Sequence, residues 1–420
     1  MPPARDLSEA ISALDPGPLD PSHGDWYVEN EAETPSGRRQ HPLAMLRAGL
    51  LRARDSERLF LSGHTGSGKT TELRRLLRDP QINRRYFIVN IALSREEVPE
   101  LTSSHLLFII AAELYENAKD LLGKEGRRWH KMIQRLDERF FGQKGVAATE
   151  GAVEVKFNLV FLELRQQLKL QSSRREEFRK FAETDGTLLV NLIDELVDDI
   201  TTAVQHAGSA ERVLVVVDET DKLRSSTQID EIFGTNFGAI RAPKVPMLMT
   251  LPASVTFGGP TTELGQSITH LRPVQILLRA GLEDPLGSID RKSLPYMQAV
   301  IDRRVAPGLF APEVIESAAV YSGGVLRNFF ELLRSAAIRA LDLYELATVD
   351  LTTFHDQLEE AKNALARGTY PAERATLAKI RRTNELPDRD ALRLLNTFVL
   401  EYNHTGIWWE ANPLLWHTLK

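Results

Sequence analysis

The stretch Gly63-His64-Thr65-Gly66-Ser67-Gly68-Lys69-Thr70-Thr71 fits G-x-x-x-x-G-K-[ST] at every fixed position. Such spacing suits a bound phosphate. Glycine tolerates backbone conformations that turn successive N–H groups inward, and a helix opening at the loop's end adds its positive pole. The Lys69 ammonium would reach the β- and γ-phosphates of a nucleotide, and the Thr70 hydroxyl would ligate Mg2+. The cradle as a whole runs from Gly63 to Thr71.

A phosphate cradle needs an acidic partner for the metal. Asp218 and Glu219 end the apolar run Val213 to Val217, which places Asp218 to hold Mg2+ through water and Glu219 to orient an attacking water as general base. Asp221 is a third carboxylate on the same turn. No Asn-Lys-x-Asp sequence occurs to read guanine, so ATP is the expected nucleotide, with Tyr27 as a candidate packing residue for its ring. Other chemistries lack their residues: there is no cysteine, no H-x-x-x-H or H-E-x-x-H spacing, and no G-x-S-x-G.

These residues must be positioned by strands and helices. A strand from Arg58 to Leu61 precedes the loop, and Leu73, Leu76 and Leu77 mark the buried face of the helix after it. Further strands are expected at 84–93, 211–223, 245–252 and 273–278, with helices at 103–122, 126–140, 174–206 and 226–241. The continuous run 213–217 suits a strand covered on both faces. Strands alternating with helices imply an α/β parallel sheet. An amphipathic helix with Leu43, Met45, Leu46, Leu50 and Leu51 precedes the first strand. An alternating strand at 153–161 falls in an apparent insertion near 140–185.

Beyond 285 the periodicity turns helical, at 293–306, 312–322, 325–343 and 351–367. Residues 369–420 add helices at about 371–384 and 388–398 and a hairpin turning at His404-Thr405-Gly406, the pattern of a winged helix. The organisation read from these signals is a flexible Pro-rich leader (1–25), an ATPase core (26–285), a helical lid (286–368) and a winged-helix-like module (369–420).

The 420 residues carry 52 basic and 58 acidic side chains, a net charge of −6, so any nucleic-acid contact must be local. The leader has no basic n-region or apolar h-region, and the run HLLFIIAA at 105–112 is too short to span a bilayer. A cytoplasmic protein without membrane contact is expected.

The order of phosphate loop, acidic strand, Thr250 at a strand end, a helical domain with Gly323-Gly324-Val325-Leu326-Arg327 and a terminal winged helix resembles AAA+-related ATPases. It is most similar to the signal-transducing ATPases with numerous domains (STAND) and their initiator-type relatives. The resemblance covers roughly 26–420 and implies roles for three further residues. Thr250 matches sensor 1, beside the water or γ-phosphate. Arg327 matches sensor 2, reaching the γ-phosphate from the lid. Arg272 matches an arginine finger acting on a neighbouring copy in a homo-oligomer.

Two outputs follow. In the first, the nucleotide switches contacts with an effector or regulatory protein; similar stand-alone ATPases act beside an effector in bacterial conflict systems, which implies a defence role. In the second, the winged helix holds DNA, as in initiators and loaders. From 370 onward seven basic residues face six acidic ones, near neutrality for a phosphate-tracking surface. Trp408, Trp409 and Trp416 flank Pro413 and read as hairpin core rather than a base-stacking platform. The charged runs 172–181 and 379–383 read as solvated helix faces.

Overall fold

The computed structural model describes residues 2–30, 32–33, 39–93, 101–122, 172–223, 225–258, 264, 268–279, 289–387, 391, 394–395, 397–403 and 406–419. Strands β1 (Arg58–Gly63), β2 (Tyr86–Ala92), β3 (Arg212–Asp218), β4 (Met247–Leu251) and β5 (Ile268–Leu271) form one sheet in the order β2-β3-β4-β1-β5. Every pairing is parallel. Leu61 lies opposite Thr250, and Val217 opposite both Ile91 and Met249, so the C-terminal strand ends come together along one edge. That edge is where an open parallel sheet holds its ligand.

The apolar run in β3 is explained by what covers it. Val213, Val215 and Val217 join Phe60, Met247 and Met249 under α5 (Ser103–Leu122) and α6 (Ser172–His206). Leu214, Val216, Leu59 and Leu61 face the opposite layer, with α2 (Ala44–Leu50), α3 (Lys69–Leu76) and α4 (Pro80–Arg85). Both faces are buried, so neither alternate set can be polar. Leu43 at the N-cap of α2 and Leu46 and Leu50 on it point inward, whereas Met45 is exposed. The expected helix at 226–241 is broken into α7 (Ser226–Asp230), a π turn and α8 (Phe237–Arg241).

The lid comprises α9 (Leu294–Asp302), α10 (Pro312–Tyr321), α11 (Leu326–Ile338) and α12 (Leu351–Arg367). The C-terminal module adds α13 (Pro371–Thr383) and the antiparallel hairpin β6 (Val399–Asn403) and β7 (Ile407–Ala411). The fold is thus a P-loop NTPase sheet flanked by helices, followed by a helical lid and a winged-helix-like module. None of the described helices is long and apolar enough to cross a membrane.

Two expectations fail for physical reasons. Residues 273–278 form no strand: the fifth strand is 268–271, and Pro273 directly follows Arg272, with no N–H to offer a ladder. Val274, Ile276 and Leu277 are apolar because they enter the lid core, where Val274 N–H donates to the Gly324 carbonyl at 3.0 Å. The leader is not a free tail. Helix α1 (Leu7–Ala13) is capped by the Asp6 carboxylate and buries Leu7, Ala10 and Leu14 in the core that the lid and hairpin also fill. Most of the expected helix at 388–398 lies outside the described residues; Ala391 and Leu394 have 3-10 geometry and Thr397 and Phe398 lie in a turn. The expected elements at 126–140 and 153–161 lie outside the described residues.

The tryptophans of the module pack inward. Trp408 stacks at 4.8 Å on buried Tyr402, and the Trp416 indole N–H donates to the Ala411 carbonyl. Beside them Glu410 is 4 % exposed, and burial pushes its carboxyl up to about 8, opposed by Arg381 and the Ala411 N–H. A folded-state value above the unfolded 4.5 means stability fully present below 4.5 and lost as pH rises through about 8. Glu410→Gln should therefore flatten this slope, raising Tm over wild type at roughly pH 9 more than at roughly pH 6. Parallel melting curves across that interval would show that Glu410 is not the titrating group.

Candidate functional site

The phosphate loop joins β1 to α3, and its glycines are required by its shape. Gly66 and Gly68 have φ of 86° and 97°, left-handed values that other residues adopt only with strain. A Cβ on Gly66 would stand 2.6 Å from the Cβ of Arg327, so the lid is seated against the loop at this point. The Arg327 N–H donates to the Gly66 carbonyl at 3.2 Å.

Lys69 is 5 % exposed, and its ammonium donates to the carbonyls of Gly63 and His64, both at 2.8 Å, and pairs with Asp221 at 2.9 Å. Phosphate oxygens would replace these acceptors. The Thr70 hydroxyl favours the ionised form of the Asp218 carboxylate, so the two expected Mg2+ residues meet where β3 approaches α3. Burial raises the Asp218 pKa, and the Glu219 N–H donating to Oδ1 at 2.7 Å opposes the shift. Glu219 stands in the left-handed region at φ 74°, and its carboxylate pairs with Lys222 at 2.7 Å. A non-glycine residue held there is strained, a pattern that clusters at functional turns.

Lys69, Thr70, Glu219, Asp221 and Lys222 line a cavity of about 1520 Å3 between core, lid and N-terminal segment, whereas Asp218 lies behind them and does not line it. Residues Thr65 to Glu72 form its floor, Glu219 and Asp221 one side, and Arg272, Leu326 and Arg327 another. Tyr27 lies in the wall, where its hydroxyl donates to Glu72 at 2.9 Å and Arg75 covers its ring at 3.5 Å. The far wall is the stretch from Asp15 to Asp20, tied down by Leu19 N–H donating to Thr71 Oγ1 at 3.1 Å. Sequence reasoning missed this wall. Its legible signal was Asp6 with Glu9 three residues on, ahead of Leu7, Ala10 and Leu14 at helical spacing.

Three expected site residues are placed differently from their expected roles. His64 does not face the cavity: its ring is buried between Leu395 and Glu401 of the C-terminal module, leaving its main chain for the loop. Thr250 is 1 % exposed, engages Thr220 through both its carbonyl and its hydroxyl, and does not line the cavity. Arg272, expected to serve a neighbouring copy, lines its own chain's cavity and donates through Nε to Glu401 at 2.7 Å.

The donor set fits Mg-ATP. Left-handed glycines that a side chain would fill, a buried lysine and a hydroxyl–carboxylate pair are the groups such an occupant uses. Buried Ser67 Oγ has no hydrogen-bond partner among the described residues, a further free polar atom on the loop.

No protein-family model matches the sequence, and neither does any curated protein. Among solved structures, Cdc6p from Pyrobaculum aerophilum aligns at 13 % identity over 96 % of each chain, with a TM-score of 0.38. The Orc1 protein of Aeropyrum pernix, solved in complex with DNA, aligns at 12 % identity over 97 % of this chain and 95 % of that one, with a TM-score of 0.42.

Proposed function

We propose that this chain is a Mg2+-dependent ATPase of AAA+ type whose lid and C-terminal module respond to the nucleotide. The observation that carries the reading is the convergence of Lys69, Thr70, Glu219 and lid Arg327 on one cavity at the sheet's C-terminal edge. Thr70 and Asp218 would hold Mg2+, which would supply charge neutralisation for the phosphates. Lys69 binds the β- and γ-phosphates and loop N–H groups the phosphate oxygens. Glu219 accepts the proton of the attacking water, which requires that its carboxylate leave Lys222. Arg327 closes on the γ-phosphate side and Tyr27 on the base. Thr250 supports this edge through Thr220 rather than by contact. Phosphate release from ATP that stops on chelating Mg2+ is the expected result; release indifferent to the chelator would overturn it.

Two outputs fit a module docked in this way. One is a switch read by an effector or regulatory protein, supported by the direct His64 bond to β6 and to Leu395. The other is DNA binding of initiator type, supported by Lys379 and Arg382, exposed one turn apart on α13. A labelled duplex separates them: salt-dependent binding at submicromolar protein selects DNA, and its absence with and without ATP selects the protein partner.

A further inference from the structure

The phosphate loop, the last strand of the sheet and the C-terminal hairpin meet in a buried polar knot centred on Glu401 of β6. Glu401 is 0 % exposed. Its Oε1 accepts from Arg272 Nε at 2.7 Å, and its Oε2 lies 2.9 Å from His270 Nε2. Its main-chain N–H donates to His64 Nε2 at 2.9 Å. Because that nitrogen must accept, the ring proton sits on Nδ1 and goes to the Leu395 carbonyl at 2.8 Å. Burial pushes the His64 ring down to about 3, so it stays neutral in this tautomer.

A carboxylate fully removed from water is costly unless paired, and an apolar knot of the same size would hold the hairpin at least as well. The polar version does something the apolar one does not. It sets a guanidinium whose Nε is committed to Glu401 on the wall of the cavity that Lys69 and Arg327 also line.

We propose that Glu401 is a positioning residue of the phosphate site, holding Arg272 in cis toward the γ-phosphate while its main chain, with Leu395, braces the loop through His64. The proposal rests on the ATP reading above. It makes the hairpin a structural part of the nucleotide site, so a partner that engages β6 or β7 acts on the loop directly.

The test uses the full chain carrying Glu401→Met, Glu401→Gln, Arg272→Met and the Glu401→Met/Arg272→Met pair. Glu401→Met is expected to weaken binding of labelled ATP about tenfold, the loss of a charge-assisted hydrogen bond, while Glu401→Gln, which can still accept from Arg272, retains most of the affinity. In the Arg272→Met background, Glu401→Met is expected to cost no further affinity, although it raises Tm by removing a buried carboxylate that His270 alone would face. Affinity returning to wild type in the pair together with Tm, or losses that simply add, would reduce the knot to a structural role.

Nucleotide-free hydrogen exchange supplies a separate readout. His64→Phe should speed exchange in both the loop at 63–70 and the hairpin at 399–403; unchanged exchange in either would overturn the brace. Wild-type protein that fails to bind labelled ATP would remove the ATP reading and the role of Arg272 with it. The exchange result would still report separately whether loop and hairpin are coupled.

Discussion

Lys69→Ala is expected to abolish ATP binding at concentrations that saturate the wild type. The side chain is almost wholly buried and already spends its donors on two loop carbonyls and Asp221. An incoming phosphate takes over these donors without any new opening in the protein. Each charge-assisted hydrogen bond lost is worth about 1.5–3 kcal/mol, or roughly tenfold to a hundredfold in affinity. The alanine variant also leaves Asp221 unneutralised on the cavity side, facing phosphate charge of its own sign. The combined loss should exceed about a hundredfold. Equilibrium binding of labelled ATP measures it, and a melting curve on the same sample shows whether the variant is folded. Wild-type affinity in a folded Lys69→Ala protein would take the lysine out of the site.

Glu219→Gln should give the opposite split, with ATP bound and turnover slowed by about a hundredfold to ten-thousandfold, the usual worth of a general base. The amide keeps the side chain's length but cannot accept the water's proton. Its effect on folding should be small, because the Lys222 pair is partly exposed and such pairs contribute about 0–1 kcal/mol. Asp221, the other carboxylate on this turn, is held by Lys69 and is a poor substitute. Single-turnover phosphate release with ATP prebound separates chemistry from binding. Normal release by the variant would end the assignment of Glu219 as base.

The core of this site was legible because its signals are local. The loop, the strand before it and the helix after it are contiguous, and the loop's glycines are required by its backbone shape. The run 213–217 announced a doubly covered strand for the same reason. What was not legible depends on contacts distant in sequence. Residues 273–278 carry the composition of a strand, yet their apolar side chains serve the lid core, and only the partner surface distinguishes the two. His64 occupies a variable position of the motif, and nothing local indicates that Leu395 and Glu401, more than three hundred residues on, would hold its ring. Arg272, expected to serve a neighbouring copy, lines the cavity of its own chain, and its intrachain partner Glu401 could not be read from spacing. The leader was misjudged because its prolines outweighed one short capped helix.

That short helix has a consequence for how the chain is assembled. Leu7, Ala10 and Leu14 are made first, but the core they enter also contains Val300, Phe329, Leu333 and Leu419. The five described strands of the sheet, by contrast, have all been made by residue 271. During synthesis the first helix must therefore stay exposed while the whole sheet and then the lid are produced. Closing so long a loop is slow relative to local packing. The cavity at the phosphate loop, which borrows its far wall from the stretch just after that helix, is among the last parts of the molecule to form.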